Sequence, residues 1–418
     1  MVTASKRVVR RWGWSILFVA FLFLSVAFFF DGILYSPQLP GAMQRARKVG
    51  IPLSSQDYSQ TAAGSNTRKA EHPIRALSVE EIERLDAWYE RSIASRGTQR
   101  LDVIVNLLKE VESLWPKLNE IADNPDIVFA DSLASMTGPD AANHRIAKVI
   151  VAYLGLTARL HATAGKHRDA SNEILQMGRL VDAMSQPPSY LAQVSGVTSL
   201  RDRTWTVARC LSFVQTPDDL QEYEKVLQQS FTRPQAIQGL RSEAYWTLVF
   251  TMNGERRVTF SGVEALALER PLTDTNRVLQ GCLAYEINVW SEVLEELQRT
   301  ELTVDLSERI TRKLSDAGEG WKQTRRCFRG NAQSVQVFLQ AIMSERIREE
   351  ILGSLVEAKR ASLKAKSAPS LGILPTDPYS DQPLRSLITD SRCTVWSVGP
   401  NRSDEGGAGD DVALSLAF

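Results

Sequence analysis

The chain has 418 residues, enough for two or three compact units, and 43% of them are hydrophobic, so it can fill real cores and is not a disordered tether. Lys plus Arg and Asp plus Glu balance at 49 each, and this even charge argues against nucleic acid or an acidic substrate as partner. The 4 cysteines, Cys210, Cys282, Cys327 and Cys393, are widely spaced without a CxxC pair. That removes a zinc ribbon, a thioredoxin-type site and a dense disulfide framework, and leaves buried apolar thiols with room for one or two disulfides.

From the N-terminus, a short tail (1–11) carries Lys6, Arg7, Arg10 and Arg11 ahead of an uncharged apolar run, Trp12 to Phe30. As a helix this run of about nineteen residues spans roughly 28 Å, close to the hydrocarbon thickness of a bilayer. Asp31-Gly32 follows without a small-residue cleavage pattern, so residues 12–34 are expected to be an uncleaved single-pass membrane anchor. The leading basic residues place the tail in the cytoplasm and the C-terminal bulk outside it. Residues 35–76, rich in Pro, Gly, Ser and Gln without a sustained period, read as a flexible spacer with a reach of about 35 Å.

A helical domain is expected over 77–368. Ser78-Val-Glu-Glu81 forms a capping box. Thr216-Pro217-Asp218-Asp219 combines an N-cap, a first-turn proline and acids at the positive end of the dipole. Ile146, Val149, Ile150, Tyr153, Leu154, Thr157 and Leu160 repeat at the spacing of one apolar helix face. Helices are predicted near 78–122, 140–164, 167–185, 190–214, 217–231, 234–252, 273–299, 307–328 and 331–366, separated by Gly and Pro breakers. Ala152-Tyr153-Leu154-Gly155 through Gly165-Lys166-His167 and Leu175 resembles a tetratricopeptide-type helical hairpin, but no second copy follows at a fixed 34-residue step, so an antiparallel bundle and an irregular helical array both stay open.

The tail, 369–418, changes period. Cys393 to Val398 alternates, and Val412, Leu414, Leu416 and Phe418 line one apolar face. With Leu384 to Ile388 these predict a three-stranded antiparallel unit too small to stand without the helices.

Between the last two strands lies Gly399-Pro-Asn401-Arg-Ser-Asp404-Glu-Gly-Gly-Ala-Gly-Asp410-Asp411. Oxygen donors among glycines suit a hard cation, since Ca2+ takes six to eight oxygens. A solvated acidic turn without an ion is the alternative reading. Leu374-Pro375-Thr376-Asp377-Pro378-Tyr379, Gln382-Pro383-Leu384, Trp396-Ser397-Val398-Gly399 and Gly406-Gly407-Ala408-Gly409-Asp410-Asp411 resemble the calcium-loop region of type II secretion major pseudopilins. Such tails also end long, uncharacterised, membrane-anchored bacterial envelope proteins, which the whole chain resembles more closely. The pseudopilin resemblance covers roughly a tenth of the chain and implies Ca2+ ligands at Asn401, Asp410 and Asp411. Asn401 stands where the family has an aspartate, and Asp404 is expected to compensate for the missing charge. The chain as a whole departs from pseudopilins, because its apolar run opens Trp12-Gly13-Trp14-Ser15 and contains no glutamate.

No other stretch marks catalysis. No HExxH motif or nearby carboxylate pair accompanies His161 and His167, and no P-loop, GxSxG elbow or dinucleotide fingerprint occurs. The tryptophans are spread about one per helix and read as core anchors. The expected function is a membrane-anchored extracytoplasmic helical scaffold that binds a protein partner of the bacterial envelope. A pseudopilin-like secretion assembly, or a hydrolase or lyase with His144, His161 or His167 beside a buried carboxylate, are the alternatives.

Overall fold

The computed structural model describes residues 19, 21, 33–54, 56–58, 77–94, 100–123, 139–185, 190–229, 234–253, 272–319, 325, 328, 330–365, 371–389 and 391–417. It is mainly helical, with a small antiparallel sheet at the C-terminal end. Apart from Val19 and Phe21, the run from Trp12 to Phe30 lies outside the described residues. Among those described, no helix is long and apolar enough to cross a membrane.

The helices are α1 (Leu39–Val49), α2 (Val79–Ala94), α3 (Leu101–Glu110), α4 (Trp115–Ala122), α5 (Pro139–Thr163), α6 (His167–Ser185), α7 (Tyr190–Leu211), α8 (Pro217–Gln228), α9 (Ala236–Asn253), α10 (Arg277–Arg299), α11 (Val304–Gly318) and α12 (Ala332–Ala365). Their starts follow local chemistry. Ser78 and Glu81 exchange capping bonds, the Ser78 amide donating to Glu81 Oε2 at 2.8 Å and the Glu81 amide to Ser78 Oγ at 3.2 Å. Thr216, Asn276 and Thr303 each accept a first-turn amide, from Asp219, Leu279 and Leu306.

Two boundaries differ from expectation. Among the described residues the predicted helix 78–122 is three helices, the last opened by Pro116, whose missing N–H is tolerated in a first turn. The helix predicted at 307–328 begins earlier, at the Thr303 cap, and ends at Gly318.

Two clusters of buried side chains organise the body. One joins α2 to α6 with the C-terminal half of α12 and the sheet, around Trp88, Ile150, Met177 and Leu355. The other joins α1, α9, α10, α11 and the N-terminal half of α12, around Tyr245, Trp290, Leu306 and Leu339. At 34 residues α12 is about 51 Å long and runs through both. α7 does the same, with Val197 in the second cluster and Val207 and Leu211 in the first. α5 and α7 meet closely at Gly155, where a Cβ would lie 2.8 Å from Thr206 Oγ1 of α7. Trp88 and Trp290 are fully buried, the core role expected of them.

The spacer expectation for 35–76 needs correction in its first part. A 3-10 turn, Ser36–Gln38, leads straight into α1, which packs along α10. Leu39, Ala42, Ala46 and Val49 are buried, and Arg45 holds Glu295 with two bonds of 2.6 and 2.9 Å. Hydropathy misses such a stripe because two of its four residues are alanines, small enough to let the helices approach closely. Residues 59–76 lie outside the described residues.

The strands are β1 (Thr376–Asp377), β2 (Gln382–Pro383), β3 (Arg385–Thr389), β4 (Arg392–Ser397) and β5 (Val412–Ala417). β1 and β2 form a small hairpin that the sequence reading did not anticipate. The other three pair antiparallel in the order β3-β4-β5, with Cys393 opposite Leu416 and Val395 opposite Leu414. These four side chains face inward, and the sheet packs on α12 and α7.

Candidate metal centre

The β4–β5 loop is built on a buried carboxylate. Asp377, fully buried, accepts bonds from Ser397 Oγ (2.7 Å), the Val398 amide (3.0 Å), the Tyr379 amide (3.0 Å) and Ser380 Oγ (3.0 Å). It thereby fixes the point where the chain leaves β4. Gly399 follows at φ 68, with space for no side chain: a Cβ would stand 2.2 Å from the Asp410 carbonyl oxygen. Arg402 also takes a positive φ, and its guanidinium reaches Glu308 of α11 at 2.7 Å, tying the loop to the helical body.

Within the loop, carboxylates act as cross-links. Asp411 Oδ2 accepts the amides of Glu405 (3.0 Å) and Gly407 (2.8 Å), Glu405 Oε2 accepts the Asp410 amide (3.0 Å), and Asp410 Oδ2 accepts the Asn401 amide (3.0 Å). The result gathers carboxylate oxygens of Glu405, Asp410 and Asp411 within 4.8 Å of one another. Oxygens bound to one Ca2+ at 2.3 to 2.6 Å lie no more than about 5 Å apart, so this spacing matches a shared ion. Asp411 Oδ1 is shielded from solvent and accepts no hydrogen bond, which leaves it for a cation. These residues fit Ca2+: Glu405, Asp410 and Asp411 would hold it, and the ion would neutralise three like charges and brace the loop.

Of the four residues expected from sequence, Asp410 and Asp411 come together here. Asn401 reaches the cluster with its amide nitrogen, donating to Glu405 Oε1 at 3.0 Å and to Asp410 Oδ1, while its oxygen accepts the Ser403 amide at 2.6 Å. Asp404 turns away. It pairs with Arg385 Nε at 2.7 Å and accepts the Trp396 indole N–H at 2.9 Å. That indole bond, the Gly406 amide and Arg385 hold its carboxyl below the usual range. Glu405 takes the place expected of Asp404. Nothing in the spacing distinguishes the two neighbours, because the choice is made by the positive φ angles at Arg402, Gly406, Gly407 and Gly409.

Among the described residues the histidines form no comparable centre. His167 Nδ1 lies 3.1 Å from Tyr223 Oη and its Nε2 3.8 Å from Asp219, an arrangement that joins α6 to α8. None of His144, His161 and His167 lines the cavities between α5 and α7, between α7, α9 and α12, or along α10 and α11. Compared with known proteins, the chain matches no family model, no curated protein and no solved structure.

Proposed function

We propose that this chain is a single-pass, membrane-anchored helical scaffold whose folded body stands outside the cytoplasm and holds a protein partner of the bacterial envelope, with Ca2+ bracing its C-terminal loop. The observation that carries the binding role is the open edge of β3. Among the described residues this strand pairs with β4 on one side only, and Leu387 and Ile388 on it are 57% and 42% exposed. Edge strands are ordinarily blunted by lysine, proline or inward charge. Here the one charge, Arg385, is turned to Asp404, and Ser386 to Thr389 carries none. Such an edge accepts an extended partner segment as an added strand.

The location is supported by the apolar run with its basic leader and by Cys282, which is disulfide-bonded, a state that persists in oxidising compartments. Association with a pseudopilin-like secretion assembly is a second reading, favoured by the three acids that the tail loop gathers.

A photo-crosslinking residue placed at Leu387 of the full chain, in intact membranes, tests the binding role against a control at exposed Glu357. The reading expects one defined protein adduct at 387, absent at 357 and lost when Ser386→Pro is added. Equal or no adducts at the two positions would contradict it.

A further inference from the structure

The first helix of the body is seated on α10, so little chain separates the body from the apolar run. Only residues 31 and 32 stand between Phe30 and the described Ile33, and three residue steps span at most about 11 Å. From Ile33 onward the chain is held: Ser36 Oγ donates to the Ile33 carbonyl at 2.9 Å, and the Tyr35 ring packs edge-on to Tyr285 of α10 with centroids 5.9 Å apart. A bilayer's headgroup layer adds about 5 to 8 Å on each side of the hydrocarbon. With the run in a bilayer, Tyr35, an amphipathic residue type enriched at that level, would stand beside it.

Tyr35 also lines a groove between α10 and α11. Five cations, Arg45, Arg309, Arg312, Lys313 and Arg325, face three carboxylates, Glu292, Glu296 and Asp316. Arg45 and Lys313 are engaged with Glu292, Glu295 and Glu296, and Arg309 stands 4.0 Å from Glu296. Arg312 and Arg325 are exposed and belong to no ion pair among the described residues; Arg325 donates to the Glu319 carbonyl at 2.9 Å, which steadies its guanidinium. Two such forks at the lip of a groove suit phosphate oxygens.

We infer that this groove docks on the anionic phospholipid headgroups of the same bilayer that holds the Trp12–Phe30 run, so that the body lies against the membrane. The inference rests on the membrane-anchored reading. The short connection supplies a high local concentration of headgroups, so modest contacts suffice. Each arginine near an anionic surface shifts the docked population about fivefold.

The test uses the full chain in nanodiscs, with a donor dye on Ser315→Cys beside the groove and an acceptor dye on the lipid headgroups. Cys210 and Cys393 do not compete for the label, being buried thiols whose pKa burial pushes up to about 12 and about 11. Energy transfer is expected to be higher in discs containing phosphatidylglycerol than in phosphatidylcholine alone. It should fall to the phosphatidylcholine level in Arg312→Ala/Arg325→Ala, a loss of about 25-fold in docked population, and in ~1 M salt, where screening acts within about 3 Å. Co-elution with the discs together with transfer indifferent to lipid charge, salt and the substitutions would overturn docking and leave the anchor standing. Failure to co-elute at all would overturn both.

Discussion

Asp377 and Ser397 meet through a 2.7 Å hydrogen bond from the serine hydroxyl to the carboxylate, twenty residues apart in the chain and both fully shielded from solvent. With the Val398 amide on the other oxygen, this contact ties the β1–β2 hairpin to the root of the acidic loop. Asp377→Ala leaves buried donors without an acceptor, which costs about 3 kcal/mol. Urea unfolding should show that loss, whereas Asp381→Asn, at an exposed turn position whose φ of 55 asparagine tolerates, should change stability by less than about 0.5 kcal/mol.

The metal reading separates two neighbouring acids. Ca2+ should raise the thermal midpoint of the chain, with about 2.7 kcal/mol of stabilisation at a hundredfold excess over the dissociation constant. Glu405→Gln and Asp410→Ala should abolish that rise. Asp404→Asn, whose partners are Arg385 and Trp396, should keep it. No shift at millimolar ion in the unmodified chain would remove the metal from the account.

The packed first helix makes its own prediction. Leu39 is 2% exposed against α10, so Leu39→Ala should cost about 3 kcal/mol. A flexible spacer at this position would show no change in denaturant midpoint.

Buried carboxyls give the body a pH profile. Burial raises the Glu345 carboxyl to about 7 against the opposing pull of Arg348 and Arg201, and burial likewise raises Glu173 to about 7 and Glu243 to about 6. A raised folded pKa means the native chain binds more protons than the unfolded one. This contribution to stability is therefore fully present below the unfolded value of 4.5 and is lost as pH rises through about 7. For Glu345 the change is on the order of 3 kcal/mol. Denaturant titrations at a series of pH values should fall across that window, and Glu345→Gln should flatten the fall. A profile unaffected by that substitution would count against it.

Much of this was legible from residue order where the signal is local. Capping residues such as Ser78 and Thr216 mark helix starts because their side chains satisfy amides only three residues away. Alternation marks β4 and β5 because one face is buried, as Cys393, Val395, Leu414 and Leu416 are. What escaped depends on distant partners. α1 reads as a polar linker until α10 is beside it to cover Leu39, Ala42, Ala46 and Val49. Asp377 was visible within a motif, yet its role depends on Ser397 and Val398 arriving across the sheet. Glu405 and Asp404 exchange places because backbone turns, not spacing, decide which side chain faces Asp410 and Asp411.

The β3 edge, the acidic loop and the disulfide-bonded Cys282 all belong to the part proposed to stand outside the cytoplasm, so the orientation of the proposed anchor decides where each can act. An enzyme reporter that is active only outside the cytoplasm, fused after the last strand of the full chain, tests this directly. The reporter should be active and should stay with the membrane after alkaline extraction. A silent reporter, with the fusion intact and membrane-bound, would contradict it.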